Sequence, residues 1–221
     1  MFEVETAFVL LFGTWEKRQI PVCSWRWWPR VAEILSSNDW GNVGRALWKA
    51  GLWEGSAVWE DLRAWQKARA VMRRWGEKGW EPLIPMSPKY PPRLWRRLGW
   101  RAPALLWGKG CKEFMGSPGV AIVGSRELNE EEEEFAEAVG MICARLGFKV
   151  VSGGARGADQ SGSQGCVEAG GFAVHFLPGG KSEDGVCGHG LLTIDPAEGV
   201  FDRVLALQRN RWIYSSSEAG V

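Results

Sequence analysis

Runs of apolar, largely β-branched residues alternate with helical stretches over the second half of the chain. Such runs cover residues 120–124 and 148–152, and a third spans Phe172 to Leu177. Each of the first two ends in small residues, and a stretch with helical spacing follows it. Repeated strand–loop–helix units are typical of a parallel sheet with helices on both faces. We therefore predict an α/β fold for this part of the chain.

The first half has a different pattern, with large aromatic residues at helical spacing. We predict helices near residues 28–37, 41–51 and 56–78, and Ser56 as the N-cap of the third. Fourteen of the 15 tryptophans lie at or before Trp107. Tryptophan at helical spacing indicates a core, and stacking on unpaired bases is the alternative. The change of pattern near Glu81 predicts a helical domain over 1–80 and a sheet domain over 81–221.

The sheet domain contains further predicted elements. A helix spans Arg93 to Leu98, a strand spans Ala104 to Trp107, and a last helix covers 200–211. Residues 181–198 are expected to be irregular. Asn129 and the five glutamates after it suit the start of a helix, where the dipole is positive. The face of this helix expected to be buried consists of Phe135, Ala138, Val139, Ile142 and Leu146.

Two glycine-containing loops follow the first two strands and should lie side by side at the carboxyl edge of the sheet. The first contains Gly124, Ser125 and Arg126. The second contains Ser152, Gly153, Gly154, Ala155, Arg156 and Gly157, with Asp159 just inside the next helix. Backbone N–H groups without a nearby Cβ can approach an anion, so these loops predict a phosphate-binding site. Asp159 would brace the second loop or contact a ribose hydroxyl, and a tight turn without a ligand is the alternative.

Charge is unevenly distributed, although the chain as a whole has a net charge of +1. Residues 1–110 hold 18 Lys and Arg against 10 Asp and Glu, a net of +8, whereas residues 111–221 have a net of −7. This asymmetry favours a polyanionic partner for the first half, unless the basic residues are spread over exposed helices.

The sequence offers little support for catalytic or metal chemistry. The five cysteines have no Cys-x-x-Cys spacing, and the two histidines are far apart, so we predict no metal, no cofactor and a reducing cytoplasm. Ser125 and Ser152 lie outside a Gly-x-Ser-x-Gly motif and are expected to donate hydrogen bonds to phosphate. We expect no signal peptide and no membrane span.

Four segments in this order resemble the DprA/Smf family of DNA-processing proteins. The first two are Tyr90 to Leu94 with Ala102 to Gly110, and Val120 to Arg126. The third is Ser152 to Asp159 followed by Gly170-Gly171, and the fourth is Arg209-Asn210-Arg211. The resemblance covers roughly residues 80–215. It implies a Rossmann-like parallel sheet with helices on both faces, preceded by a small helical domain.

The resemblance implies a non-catalytic protein that binds single-stranded DNA during DNA processing, transformation and recombination. Its phosphate contacts would come from the two glycine loops together with Arg209, Asn210 and Arg211. A RecA-type recombinase is the further partner that the family implies. The chain departs from the family pattern at Ser163, where the family usually has histidine, and in residues 181–198.

The resemblance gives one more expectation, because members of the family have further strands after the position that corresponds to Val221. Either the sequence is a piece of a longer chain or it is a shortened relative. In the second case we expect self-association or partner docking at the C-terminal sheet edge.

Two other functions remain open on the same scaffold. One is a nucleotide-binding sensor. The other is an enzyme that acts on a phosphorylated nucleoside, for which Asp159 and Glu168 are the candidate acids.

Overall fold

A seven-stranded sheet forms the centre of the second half of the chain. The computed structural model describes residues 2–13, 23–37, 39–110, 116–177, 188–194 and 203–221. The strands are β1 (Glu81–Leu83), β2 (Leu106–Lys109), β3 (Gly119–Ala121), β4 (Lys149–Ser152), β5 (Ala173–Phe176), β6 (Gly190–Thr193) and β7 (Ala219–Gly220). Their order is β1-β2-β6-β5-β4-β3-β7. The five strands from β6 to β7 are parallel, and β1 and β2 add an antiparallel edge.

Helices surround this sheet and form the first half of the chain. The helices are α1 (Phe2–Phe12), α2 (Trp28–Ser36), α3 (Val43–Lys49), α4 (Trp53–Trp59), α5 (Leu62–Glu77), α6 (Pro92–Leu98), α7 (Glu130–Arg145), α8 (Ala158–Glu168) and α9 (Arg203–Ser216). None of the described helices is long and apolar enough to cross a membrane.

Successive side chains of the parallel strands point to opposite faces of the sheet, because side chains alternate along a β-strand. Val150 and Ala173 face α7 and α8, and they share a core with Cys143 and Cys166. Val151 and its cross-strand partners Ala121 and Val174 face α6 and α9, where the core includes Trp212 and Ile213. The sheet therefore has helices on both faces, and the predicted Rossmann-like α/β fold is confirmed.

The front helices pack around α1, which sequence reasoning did not predict. Every residue from Ala7 to Phe12 is buried, because α5 and α4 cover this short apolar run. The same core continues past residue 80 and includes Leu105, Trp107 and Leu177 of the sheet region. The division of the chain at residue 80 therefore stays a prediction.

The predicted helix over 56–78 is wrong as one element, because the chain breaks between α4 and α5. Asp61 starts a new helix at the break. Its side chain accepts a hydrogen bond from the backbone N–H of Arg63 at 2.9 Å and caps α5. Trp65 Nε1 donates to the carbonyl of Trp59 at 2.8 Å and satisfies a group near the end of α4. Ser56 consequently lies inside α4 and is not an N-cap.

The helix after Asn129 begins as predicted but buries a different face. Asn129 and Glu132 form a capping box, with hydrogen bonds of 2.9 Å in both directions. Phe135, Ile142 and Leu146 are more than half exposed. The buried residues of α7 are instead the small ones, Ala136, Gly140 and Cys143, because α8 packs very close to it.

The end of the sheet also differs from expectation. β6 lies within residues 181–198, which were predicted to be irregular, and pairs with both β5 and β2. The last helix runs to Ser216 rather than to residue 211, and β7 then pairs with β3. The predicted strand at 104–107 begins two residues later, at Leu106. Pro178-Gly179-Gly180 predicts a third loop at the same edge of the sheet, and these residues lie outside the described ones.

Candidate functional site

The two glycine loops touch each other at the carboxyl edge of the parallel strands. The backbone N–H of Ala158 donates to the carbonyl of Ser125 at 3.0 Å. Gly157 has a φ of +84°, and a Cβ there would lie 2.2 Å from the same carbonyl oxygen. Glycine is therefore required at residue 157 both by its left-handed backbone and by the closeness of the first loop.

The buried carboxylate of Asp159 is hydrogen-bonded to both glycine loops. Asp159 is 2% exposed, and its carboxylate accepts hydrogen bonds from the backbone N–H groups of Gly153 at 2.8 Å and Gly124 at 3.3 Å. Of the two roles that the sequence left open, these are the contacts of a bracing residue. Burial raises the pKa of Asp159, while the Gly153 N–H and the positive charge of Arg209 oppose that rise.

Arg209 lies against the second loop and is 6% exposed. Its Nη1 donates to the carbonyl of Phe176 at 3.3 Å, and a Cβ at Gly153 would fall only 1.3 Å from that nitrogen. Burial lowers the pKa of Arg209, the Asp159 carboxylate opposes the shift, and the charge of Arg126 adds to it. Arg209 thus fills the space that Gly153 leaves open beneath the loop.

Ser152 is fully buried and supports the second loop through its hydroxyl. Its Oγ accepts a hydrogen bond from the Gly154 N–H at 3.3 Å and lies 2.7 Å from Nδ1 of His175 and 3.2 Å from Oγ of Ser163. Ser163 donates in turn to the carbonyl of Asp159 at 2.6 Å. The burial of Ser152 is inconsistent with the predicted hydrogen bond from its hydroxyl to phosphate.

In the two glycine loops, the exposed side chains are those of Ser125, Arg126 and Arg156. Ser125 Oγ bonds to the backbone of Glu127, donating to its carbonyl at 2.7 Å and accepting from its N–H at 3.1 Å. Arg126 and Arg156 line a cavity of about 300 Å³ between α7 and α8. The structure thus brings these two arginines together at the loops.

The remaining predicted residues lie around this centre. Gly154 and Ala155 are half-buried in the second loop. Asn210 is half-buried and Arg211 is exposed on α9, and neither lines the cavity between α7 and α8.

Sequence reasoning missed the polar side chains of the cavity and the buried His175. Four of the missed residues lie one helical turn apart in pairs, Glu133 with Glu137 and Gln160 with Gln164. Their spacing is visible in the sequence. However, the expectation that α7 buries Phe135 and Ile142 assigned the wrong face of this helix to the contact with its neighbours. The signal that identifies it is the glycine pattern of Gly140, Gly162 and Gly165, which indicates close helix packing.

The described residues contain no group of three or more His, Cys, Asp or Glu side chains placed to hold a metal ion. Cys23, Cys143 and Cys166 are buried free thiols, and Cys111 and Cys187 lie outside the described residues. The site thus combines two exposed guanidinium groups, the exposed Ser125 and a polar cavity. Such an arrangement suits the binding of an anion that carries a polar group.

Two solved structures with a similar fold are both of DNA processing protein A. DNA processing protein A from Streptococcus pneumoniae is 18% identical to the chain, with a TM-score of 0.68 over 99% of this chain and 76% of that one. DNA processing protein A from Helicobacter pylori is also 18% identical, with a TM-score of 0.52 over 64% of this chain and 67% of that one. Among curated proteins, none matches the chain significantly.

The family model for DNA recombination-mediator protein A matches residues 81–221, which include the whole sheet and both glycine loops. The chain belongs to the DNA recombination-mediator protein A family.

Proposed function

We propose that the protein binds single-stranded DNA without catalysis and holds phosphates at the two glycine loops. The observation that carries this proposal is the contact between the loops, where Arg126 and Arg156 line one cavity. Two guanidinium groups can contact two successive phosphates, which a single charge cannot do as well. The Helicobacter pylori structure is described as showing a single-stranded DNA binding mode, which supports the same ligand class here.

The buried residues of the site have a supporting role in this proposal. Asp159 and Arg209 hold the shape of the second loop, and Ser152 holds the Gly154 N–H. The phosphate contacts then fall to Ser125, Arg126 and Arg156, because the N–H groups of Gly124, Gly153 and Gly154 donate within the site. We assign Asn210 and Arg211 to the outer part of the DNA path.

The geometry gives little support to the enzyme hypothesis. Asp159 is buried and engaged with backbone N–H groups, whereas Glu168 lies roughly two and a half turns further along α8. Glu168 also accepts a hydrogen bond from Gln164 at 2.5 Å. A general acid must reach its substrate, and these two carboxylates do not share one surface.

A filter-binding experiment with oligo-dT and with dTMP tests the proposal. We expect the strand to bind more tightly than the mononucleotide. Its affinity should fall by tenfold or more between about 50 and 200 mM salt, because each neutralised phosphate releases counterions. Equal affinity for dTMP, or an affinity that salt does not change, would favour the nucleotide sensor.

The predicted self-association at the sheet edge and the RecA-type recombinase that the family resemblance implies remain predictions. β7 forms one edge of the sheet, and an apolar cavity of about 340 Å³ lies beside it, lined in part by Val123, Phe135 and Val221. Light scattering over a range of concentrations tests self-association at this edge, and a strictly monomeric protein would contradict it. Pull-down of a RecA-type recombinase tests the other partner.

A further inference from the structure

The cavity between α7 and α8 has a chemical character that phosphate binding does not explain. Two arginines, two glutamates and two glutamines contribute its charged and amide side chains: Arg126, Arg156, Glu133, Glu137, Gln160 and Gln164. A volume of about 300 Å³ is at the lower end of the range for small-molecule sites. Carboxylates repel phosphate, so the glutamate side of this cavity suits a different part of the ligand.

The glutamates form one wall of the cavity. Glu133 and Glu137 are four residues apart on α7 and therefore lie on the same face. Ser161, which is 6% exposed, places its Oγ 3.4 Å from Oε1 of Glu133. A carboxylate accepts hydrogen bonds and donates none, so this wall selects a group that presents donors.

The glutamines form the opposite wall. Gln160 and Gln164 are four residues apart on α8, and both line the same cavity. An amide side chain both donates and accepts, so it can satisfy ring nitrogens or carbonyl oxygens of a planar ligand. The arginines lie at the glycine-loop end, where the proposed phosphates bind.

We propose that this cavity holds a guanine base of the bound strand. Guanine carries two adjacent donors, N1–H and the 2-amino group, which can bond to one carboxylate in a bidentate manner. Its O6 and N7 acceptors would then face amide donors. The proposal rests on the proposed function, because the phosphate at the arginines brings the base to the cavity.

The other bases fit this wall less well. Thymine has a single donor between two carbonyl oxygens, and those oxygens would face the carboxylate. Cytosine and adenine each have one amino group next to a ring nitrogen that accepts, so neither gives two parallel bonds to one carboxylate. The preference for guanine thus follows from the glutamates of α7, Glu133 and Glu137, and not from the glycine loops.

Three short oligo-dT strands test the assignment, each with one central nucleotide varied among dT, dG and deoxyinosine. Deoxyinosine keeps N1–H but lacks the 2-amino group. We expect the dG strand to bind about tenfold more tightly than the dT strand, within the range for a bidentate base contact, with deoxyinosine between them. Equal affinity for all three strands would overturn the guanine assignment while leaving DNA binding intact. No binding of any strand would remove the proposed function itself.

The variants Glu133→Gln and Glu137→Gln identify the carboxylates responsible. At least one of them should lower the affinity for the dG strand toward that for the dT strand, while dT binding stays equal or tightens because a negative charge is removed. Glu134→Gln is the matched control, since Glu134 is exposed on the same helix and does not line the cavity. A dG preference that survives both cavity variants would contradict the proposal, as would a loss of dT and dG binding in equal proportion.

Free dGMP distinguishes a strand site from a nucleotide site. We expect it to compete weakly, because it lacks the neighbouring phosphates that the second loop and the arginines would hold. Competition by dGMP as strong as that by the dG strand would overturn the assignment to DNA.

Discussion

The front helices and the α7–α8 layer are packed by opposite means. Large aromatic rings fill the space between the front helices, as in the contact of Trp59 with Trp65, whose ring centroids are 4.9 Å apart. Between α7 and α8 the chain instead removes side chains: a Cβ at Gly140 would lie 1.9 Å from the carbonyl oxygen of Gly162. The front helices are packed by large side chains, whereas α7 and α8 are in contact because glycines there have no side chain.

The difference matters because α8 begins directly after the second glycine loop and α7 begins at Glu130, shortly after the first. The distance between these helices therefore sets the distance between the loops, and the hydrogen bond from Ala158 to Ser125 joins them at that point. The front helices have no such constraint, since their aromatic core adjoins the antiparallel edge of the sheet. Close packing by glycine thus serves both the fold and the site.

Removing aromatic volume should give the largest loss of stability. Trp80 is 2% exposed, so Trp80→Ala should lower the free energy of unfolding by about 3–5 kcal/mol through lost burial and a cavity. Trp53, which is 62% exposed, is the matched control, and Trp53→Ala should change stability by no more than about 0.5 kcal/mol. Urea unfolding measures both, and equal losses would contradict the account of the front core.

Replacing a glycine by alanine should change the free energy of unfolding in opposite directions in the two regions. Gly140→Ala should destabilise the protein by about 1–3 kcal/mol, because the new Cβ meets the backbone of α8. Gly76→Ala, in a helix of the same length, meets nothing within 4 Å and should stabilise it by up to about 1 kcal/mol. Thermal unfolding of the two variants gives the comparison, and a stabilising Gly140→Ala would show that the helices are not in close contact.

The charged pair under the loops gives a pH-dependent prediction. Because burial raises the pKa of Asp159 in the folded state, unfolding releases a proton as the pH rises from the unfolded pKa through the folded one. The stability of the protein relative to Asp159→Asn should therefore be greatest at acid pH and decline across that window. Urea unfolding of both proteins between pH 3 and 7 tests this, and a difference that grows with pH would mean that the pKa is lowered.

The parallel strands and the loops between them were predictable from sequence, because local pattern determines them. A β-branched run, a glycine and an N-cap such as Asn129 act within a few residues of one another. The break at Asp61 was harder to see, since the aromatic periodicity continues across it. The buried face of α7 could not be predicted from hydrophobic residues at all, because contact with Gly162 selects small residues and leaves Phe135 exposed.

The site was predictable in its position but not in the role of each residue. Glycine and arginine in two neighbouring loops indicated an anion site, and the structure brings those loops together. Burial is not visible in the sequence, so the pattern of residues alone does not separate Ser152 and Arg209 from residues that face solvent. Their burial depends on His175 and Phe176 in β5, which lie more than 20 residues away from each partner.

The most direct test of the account compares Arg156→Ala with Arg63→Ala in binding to oligo-dT at fixed salt. Both side chains are exposed, but Arg156 lies in the second glycine loop and Arg63 on a front helix. Arg156→Ala should weaken binding roughly tenfold and reduce the salt slope by about one, as expected for a lost phosphate contact. Arg63→Ala should change affinity less than about twofold, the size of a surface charge effect. Equal losses from the two variants would place the DNA on the front helices and leave the glycine loops as turns.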